Sequence, residues 1–355
     1  MRLPQDGTDP KLFAGRRERL AEILGRRKCD AYFFSGISDL YYLTGFHSEG
    51  FTGLVSAKAT WLFSSALLAG QVRECAPGCR RIVGKRLSAA VEELIQKHRF
   101  KRVGFDAEQL NFRLGDVLSK KGLRPRPNPL EELRIVKEEG EVLRLRRAGK
   151  ITAEAVAHVR ARVRAGMTEK QMAVAIESYF YRRGATGIGF DLIAAVGPNT
   201  ALPHHIPGET RLAKNSAVLF DVGCRVGAYR SDLTRSFYYG KITPNYRRVY
   251  GIVDAAQRAG IEAIRPGATG GQVDAASRGV VARAGFGRAF IHSTGHGVGI
   301  DIHEPPWVRP NSPDVLKPNM ILTVEPGIYL SGRFGVRIED TFRVTAEGRE
   351  TLTKI

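Results

Sequence analysis

Four acidic residues and one histidine in the C-terminal part of the chain have the types and spacing of a metal site. The acids form two pairs at equivalent places in a sequence repeat, Asp221 with Asp232 and Glu325 with Glu339. Asp221 and Glu325 each close an apolar run, so both are expected at buried positions. Two carboxylates about 4 Å apart repel by about 4 kcal/mol at an effective dielectric constant of about 20. Four together need protons or cations, and we interpret them as ligands of a pair of divalent ions.

The repeat covers most of the C-terminal part and predicts how the two pairs meet. Three motifs recur in the same order at offsets of 101, 104 and 107 residues: 163–172 with 264–273, 212–223 with 316–327, and 230–234 with 337–341. This period is too long for a solenoid unit. It predicts two similar halves about a pseudo-two-fold axis, each with helices followed by a strand pair. Adjacent antiparallel strands would then place the carboxylates of each pair side by side.

Histidines are concentrated near these acids. Three of the eight fall within a glycine-rich stretch, His292, His296 and His303, and two more follow Pro203, His204 and His205. Glycine lets the backbone approach a ligand closely, so this cluster favours a site. We interpret the isolated His47, His98 and His158 as core residues. One imidazole among several carboxylates suits Mn²⁺, Fe²⁺, Co²⁺ or Zn²⁺ and differs from the thiolate ligands of structural zinc.

Local patterns predict the elements that position these residues. Strands at 30–35, 51–56, 60–63 and 102–106 alternate with a helix at 87–98, which is typical of a small α/β domain. The proline-rich segment 122–129 indicates a domain boundary. A long helix then starts at Glu138 and ends before Gly166. Thr168 opens the next helix, with Gln171 completing a capping box.

Composition narrows the function classes. A length of 355 residues predicts two domains, and the 43% apolar share supports a buried core. The four cysteines include only an isolated C-x-x-x-C pair, which makes structural zinc improbable and favours a reducing cytoplasm. The first 14 residues lack the apolar region of a secretory signal. No apolar run reaches the length of a membrane span, so we expect no membrane partner.

The net charge of +19 raises the alternative of a polyanion partner. The lysines and arginines are spread along the whole chain, and neither an RNA-binding aromatic motif nor a zinc finger accompanies them. We therefore interpret the charge as a general basic, arginine-rich composition and expect no nucleic-acid partner.

Five short motifs carry a resemblance to a known family. They are Phe220-Asp-Val-Gly, Ser231-Asp-Leu-Thr-Arg, Gly295-His-Gly-Val-Gly, Thr323-Val-Glu-Pro-Gly and Val336-Arg-Ile-Glu-Asp. In order and spacing they resemble the signature of the pita-bread metallopeptidases, and most closely the aminopeptidase P and prolidase branch. The segment 39–46 resembles a strand signature of that branch's creatinase-like N-terminal domain, and 133–137 resembles its domain junction. The resemblance implies an α/β creatinase-like domain at 1–132 and an α+β pita-bread catalytic domain at 133–355.

The resemblance also implies a ligand set and a reaction. The implied metal ligands are Asp221, Asp232, His296, Glu325 and Glu339. They would hold two divalent ions, Mn²⁺ first and Co²⁺, Zn²⁺ or Fe²⁺ as alternatives, with a bridging hydroxide that hydrolyses the Xaa–Pro bond of a proline-containing peptide. In the same family, His204 and His303 would stabilise the intermediate and Glu325 would shuttle a proton. His292, Arg337 and Tyr229 are further candidates for substrate binding.

Members of this branch commonly form homodimers, which predicts a homodimer here and an approach of Asp39 to the partner's substrate. One departure concerns substrate length. The motif His303-Glu-Pro-Pro continues with Trp307 where many prolidases carry an arginine, so a free dipeptide carboxylate has no obvious partner. Two alternative functions remain open: a metal-dependent amidohydrolase acting on a small molecule, and a non-catalytic binding protein.

Overall fold

The computed structural model describes residues 10–354, apart from the side chain of Cys75. The chain divides into two compact units, the first ending at Arg134 and the second beginning at Ile135. No helix of the described part is long and apolar enough to cross a membrane.

The first unit is a mixed six-stranded sheet with helices around it. Its strands are β1 (Ala31–Phe34), β2 (Phe51–Ser56), β3 (Thr60–Ser64), β4 (Arg80–Val83), β5 (Val103–Phe105) and β6 (Leu123–Pro125), in the order β4-β3-β2-β1-β5-β6. Its helices are α1 (Pro10–Arg26), α2 (Ile37–Thr44), α3 (Ala69–Cys75), α4 (Leu87–His98), α5 (Phe112–Lys120) and α6 (Glu131–Arg134). The predicted α/β organisation, the β2–β3 hairpin and helix α4 are confirmed.

Two local predictions for this unit are wrong. The segment 39–46 was expected to contain a strand, but its first part belongs to helix α2, which ends where Gly45 takes the left-handed conformation at φ 75°. All the side chains from Asp39 to Thr44 are buried, so their apolar run reflects a buried helix rather than a strand. The proline-rich segment, expected as a boundary, contributes β6 instead. Proline is tolerated there because β6 lies at the edge of the sheet.

The second unit contains four long helices: α7 (Glu139–Arg160), α8 (Glu169–Arg182), α9 (Pro244–Ala263) and α10 (Gly270–Arg283). Its strands are β7 (Gly187–Ile188), β8 (Ile193–Val196), β9 (Ser216–Val222), β10 (Cys224–Val226), β11 (Tyr229–Arg230), β12 (Leu233–Tyr239), β13 (Gly295–Gly297), β14 (Glu304–Val308), β15 (Ile321–Val324), β16 (Gly327–Leu330), β17 (Phe334–Arg337), β18 (Asp340–Val344) and β19 (Arg349–Thr351). Two sheets dominate, β12-β9-β8 and β14-β13-β15-β18-β19.

The predicted internal duplication is visible in the hydrogen bonds of these two halves. Helices α8 and α10 both begin with a complete capping box, Thr168 with Gln171 and Thr269 with Gln272. The loop before each helix forms the same bond: Gly166 N donates to Leu212 O and Gly267 N to Leu316 O, both at 2.9 Å. The two halves therefore share local geometry as well as motif order.

Each half packs its helices on its own sheet. In the first half, α7 and α8 cover β9 and β12 through apolar residues such as Val156, Ile176 and Phe220. In the second, residues of α10 and β14 pack with Leu322 and Val324 of β15 and Phe342 of β18. The halves meet where Glu339 N donates to Thr234 O at 3.1 Å and Ser236 Oγ bonds the backbone of Arg337. This junction brings the ends of β9, β12, β15 and β17 together.

Candidate metal centre

The four acids lie at the ends of these central strands. Asp221 is the last residue but one of β9, and Asp232 directly precedes β12. Glu325 directly follows β15, and Glu339 lies between β17 and β18. A strand end exposes a side chain to a cavity while the strand itself stays in the core.

The expected side-by-side arrangement holds for only one pair. In the second half, Val324 is opposite Asp340, so Glu325 and Glu339 occupy the next position on each strand. In the first half, Asp221 is opposite Thr234 instead, and Asp232 lies two residues further back. The first pair is therefore diagonal, and Thr234 takes the place nearest to Asp221.

All four acids and His296 line one cavity of about 440 Å³ within the second unit. One potential ligand atom from each of Asp232, His296 and Glu339 lies within 4.8 Å of the other two. His296 Nε2 is 3.3 Å from Glu325 Oε1 and 3.6 Å from Asp232 Oδ2. Residues more than 100 positions apart in sequence thus converge on one small volume.

Backbone packing fixes the orientation of His296. Its Nδ1 lies 3.0 Å from the carbonyl oxygen of Gly297, which can only accept, so Nδ1 carries the proton and Nε2 faces the carboxylates. A side chain at Gly295 would put its Cβ 2.1 Å from Thr323 O, and one at Gly297 would put it 2.3 Å from Pro305 O. The glycines on either side are required because β13 passes so close to its neighbours.

The carboxylates strongly perturb one another. Burial raises the pKa of Asp232 well above its usual value, and the charges of Glu339, Asp221 and Glu325 raise it further. The pKa of Glu339 is raised in the same way, by burial and then by Glu325 and Asp221. Burial also disfavours ionisation of Glu325, but the hydrogen bond and charge of His296 outweigh it and lower its pKa. Such a cluster is unstable as a set of free anions near neutral pH.

These residues fit divalent cations. Asp221 Oδ1 and Glu339 Oε1 are buried without a hydrogen-bond donor among the described residues, although buried carboxylate oxygens normally have one. Both residues line the same cavity as His296. Several carboxylate oxygens with one imidazole are suitable ligands for first-row divalent ions.

Arg337 is held by protein groups on three sides. Its Nη2 donates to Asp221 Oδ2, its Nη1 to the Tyr329 hydroxyl at 2.7 Å and its Nε to Thr234 Oγ1 at 3.1 Å. Thr234 Oγ1 in turn donates to Glu339 Oε2 at 2.7 Å. Arg337 lines the cavity, as expected of a substrate-binding candidate, but the hydrogen bonds of its guanidinium orient the acids.

Three histidines surround the acidic cluster. His292 Nε2 is 2.8 Å from the Tyr329 hydroxyl, which also accepts from Arg337, so His292 belongs to the same chain of bonds. The ring of His303 lies 4.3 Å from that of His296, centroid to centroid. Burial lowers the pKa of His303, and the neighbouring His296 lowers it further. His204 is exposed and lines the same cavity.

The segment that carries His303 is fixed from two sides. Arg230 Nε donates to Ile300 O at 2.8 Å, and its backbone N donates to Gly299 O at 2.9 Å. Next to His303, Glu304 forms a buried ion pair with Lys137 at 2.7 Å. Separating a buried ion pair leaves buried charges without a partner, which is costly. The pair therefore holds the segment in one local conformation.

Two of the sequence candidates are not among the residues that line the cavity. Tyr229 is buried on β11, where its hydroxyl donates to Glu141 Oε1 at 3.0 Å. Asp39 is fully buried in the first unit and accepts from Gln109 Nε2 at 2.9 Å, Asn128 Nδ2 at 2.6 Å and Arg134 Nη1 at 2.8 Å. An approach of Asp39 to another subunit's substrate would require its carboxylate to leave these partners.

Several residues that line the cavity or bond to its acids were missed by the sequence reasoning. Thr234 stood in the repeated motif that marked Asp232, so its position was noticed but its contacts were not. Phe190 and Asp191 also line the cavity and precede β8, and no pattern in their neighbourhood indicates a site. Their contribution depends on how the loop before β8 passes the cavity.

Comparison with known proteins agrees with this fold and site. Residues 144–346 match the family model of metallopeptidase family M24, and residues 16–147 match that of the creatinase/prolidase N-terminal domain. A Bacillus subtilis protein named as an uncharacterized peptidase, YqhT, is 31% identical over 95% of this chain and 97% of that protein. A Xaa-Pro dipeptidase of Pyrococcus furiosus is 37% identical over 63% of this chain and 65% of that protein.

Solved structures resemble the whole chain. A Xaa-Pro dipeptidase from Bacillus anthracis has a TM-score of 0.92 at 30% identity and covers 97% of this chain and 98% of its own. The prolidase of Pyrococcus horikoshii has a TM-score of 0.90 at 29% identity, over 96% and 98% respectively. Together the fold and the site define a metal-dependent peptidase. The chain belongs to metallopeptidase family M24, in its prolidase and aminopeptidase P branch, and the expected creatinase-like and pita-bread domains are confirmed.

Proposed function

We propose that the chain is a dinuclear-metal-dependent peptidase that hydrolyses the bond before proline at the N-terminus of peptides. The observation that carries the proposal is the largely buried cluster of four carboxylates and one imidazole, in which Asp221 Oδ1 and Glu339 Oε1 have no hydrogen-bond donor among the described residues. The Xaa-Pro dipeptidases among its relatives and structural neighbours support the choice of substrate.

In this proposal the five cluster residues hold two divalent ions, Mn²⁺ first and Co²⁺, Zn²⁺ or Fe²⁺ as alternatives. When bound, such ions supply Lewis acidity and a hydroxide nucleophile at neutral pH. The predicted ligands are Asp221, Asp232, His296, Glu325 and Glu339. Because His296 lowers the pKa of Glu325, this carboxylate is ionised near neutral pH. Glu325 is then able to accept a proton and pass it to the proline nitrogen as the bond breaks.

The histidines around the cluster act on the substrate. His303 is neutral near neutral pH because its pKa is lowered, so it has one N–H to donate. Together with His204, it stabilises the negative oxygen that develops as the scissile carbonyl is attacked. His292 is oriented by its hydrogen bond with the Tyr329 hydroxyl, which also accepts a hydrogen bond from Arg337. These roles use side chains that all line the same cavity.

Metal analysis and a substrate panel test the function together. Purified protein is incubated with each candidate ion, its bound metal is counted, and hydrolysis of Xaa–Pro peptides is compared with that of small amides. We expect two ions per chain and release of proline-containing products. Bound metal with hydrolysis of small amides alone would favour the amidohydrolase alternative. Neither metal nor hydrolysis would favour the binding protein.

We further propose that peptides longer than a dipeptide are preferred. Among the described lining residues, the only lysine or arginine is Arg337, whose nitrogens are already bonded. Trp307 lines the cavity, and the Arg309 guanidinium lies 5.4 Å from the centre of the Trp307 ring without lining the cavity. A free proline carboxylate in a dipeptide therefore lacks a charge-assisted partner, which costs it about 10-fold to 100-fold in affinity.

A tripeptide Xaa-Pro-Xaa is accordingly expected to have a kcat/KM at least about 10-fold above that of Xaa-Pro in the wild-type protein. Trp307→Arg supplies a cation and should narrow or reverse this ratio, mainly through the KM of the dipeptide. Trp307→Met changes the side chain without adding charge and serves as the matched control. Equal dipeptide and tripeptide values in the wild type would contradict the preference.

The branch resemblance also leads us to propose a homodimer. Size-exclusion chromatography with light scattering measures the molecular mass directly, and a monomer at working concentration would contradict it. The cytoplasmic location stays a prediction from the cysteine content.

A further inference from the structure

Glu169 is a fully buried carboxylate outside the cavity that accepts four hydrogen bonds. Its Oε1 accepts from Val196 N and Asn199 Nδ2, both at 2.9 Å. Its Oε2 accepts from His205 Nε2 at 2.8 Å and Gly208 N at 3.1 Å. A buried carboxylate with four donors is well satisfied, and it holds every donor in one place.

The four donors bracket a single segment, residues 196–208. Within it lie Pro203 and His204, both of which line the cavity. From the other side, Gly335 N donates to Thr200 Oγ1 at 2.9 Å, and a Cβ at Gly335 would lie 2.1 Å from Thr200 O. The segment is thus held between Glu169 and β17, and His204 is the exposed residue between its fixed ends.

The start of helix α8 does not itself require Glu169. The capping box of Thr168 and Gln171 already bonds the first turn of α8. Helix α10 begins with the same box in the second half, and the residue after its threonine is Gly270. A Cβ at Gly270 would lie 2.1 Å from Trp307 O, so backbone fills that space in the second half. Glu169 therefore serves the segment 196–208, a feature of the first half alone.

We propose that Glu169 is a positioning residue that fixes His204 at the cavity through the segment 196–208. The consequence for activity rests on the proposed function, because it assumes that His204 acts on the peptide substrate. The consequence for the structure of the segment does not depend on the proposed function.

The activity test is a double-mutant cycle of Glu169→Gln and His204→Ala in metal-loaded protein. Glutamine keeps the volume, but its NH2 group must face either Gly208 N–H or Val196 N–H, so one backbone donor loses its acceptor. We expect kcat and kcat/KM to fall together by about 10-fold to 100-fold, with bound metal unchanged. In the His204→Ala background, Glu169→Gln should cause no further fall, since its effect passes through His204. If the fold-changes of the two single variants multiply in the double variant, the proposal is overturned. Glu209→Gln, exposed in the same loop, is the control for charge.

Hydrogen exchange tests the segment without any substrate. Glu169→Gln is expected to speed amide exchange across 196–208 and to leave exchange around His296 unchanged. If the variant and the wild type exchange at the same rate in 196–208, the proposal is overturned. If the wild type hydrolyses no Xaa–Pro peptide, the proposed function fails while this comparison still decides the inference. If Glu169→Gln does not fold, Asn199→Ala removes one of the four bonds and should lower kcat by about 3-fold to 10-fold, again only when His204 is present.

Discussion

Replacing Glu339 by glutamine is expected to raise the melting temperature of the metal-free protein near neutral pH and to abolish its Xaa–Pro hydrolysis. The two effects have opposite directions because the carboxylate binds the metal when metal is present and destabilises the folded protein when metal is absent. Glutamine has the same shape, and its carbonyl is still able to accept from Thr234 Oγ1, which lies 2.7 Å from Glu339 Oε2. The change therefore removes a charge with little change in packing.

The pH dependence follows from the pKa of Glu339, which burial and then the charges of Glu325 and Asp221 raise well above its usual value. A carboxyl with a raised pKa in the folded state contributes stability below its unfolded pKa, and that stability is lost as the pH rises through its folded pKa. The metal-free variant and wild type should hence melt alike at about pH 4.5, near the unfolded value. Toward neutral pH the variant should become more stable by at least about 1 kcal/mol, or about 2–4 °C.

The activity should fall by at least about 1000-fold, since losing about 4 kcal/mol of metal-dependent transition-state stabilisation has that effect. Melting curves with a chelator and with added Mn²⁺, at both pH values, and peptide kinetics measure all three quantities. Glu347→Gln, at an exposed turn, is the matched control and should change none of them. A metal-free variant that melts below the wild type near neutral pH, or one that keeps activity, would contradict this account.

Replacing Arg337 by methionine is expected to destabilise the metal-free protein by about 3–5 kcal/mol near neutral pH. Arg337 is buried and is the charge partner of Asp221, whose own pKa burial raises. Without the guanidinium, the largely buried carboxylate of Asp221 loses its ion-pair partner. For a domain of this size the melting temperature should fall by about 10 °C.

Arg337→Lys separates charge from geometry. Lysine keeps the positive charge, but one ammonium group is unable to reproduce the planar arrangement that contacts Asp221, Tyr329 and Thr234 together. Its stability should lie between those of the wild type and Arg337→Met. Added divalent metal should restore part of the loss in both variants, because it supplies the missing positive charge next to Asp221. Arg349→Met, at an exposed position of β19, is the control, and a loss of equal size there would contradict the explanation.

Local features of the fold could be predicted because neighbouring residues determine them. The capping box of Thr168 and Gln171, the helix at 87–98 and the hairpin of β2 and β3 all follow from short-range hydrogen bonding and periodicity. Where apolar residues run continuously, periodicity is uninformative. The segment 39–46 was therefore mistaken for a strand. Its first six residues, 39–44, belong to helix α2, and all six are buried.

The candidate site was predictable in its residues and less so in its contacts. The repeat marked Asp221, Asp232, Glu325 and Glu339, and all four line one cavity with His296. The sequence gives no measure of strand register, so the diagonal placement of Asp221 and Asp232 was not foreseen. Asp39 was expected near a substrate, yet three donors from its own unit surround it.

The amino-acid sequence alone determined which groups are available for chemistry: a repeated set of acids, one imidazole in a glycine-rich strand, and elements that bury them. Those properties depend on residue type and on neighbours within a few positions. Only the tertiary structure decided which atoms meet, since Arg337 reaches Asp221 across 116 positions and Thr234 reaches Glu339 across 105. Contacts at such separations depend on register and packing of the two halves, and side-chain identity by itself does not encode them.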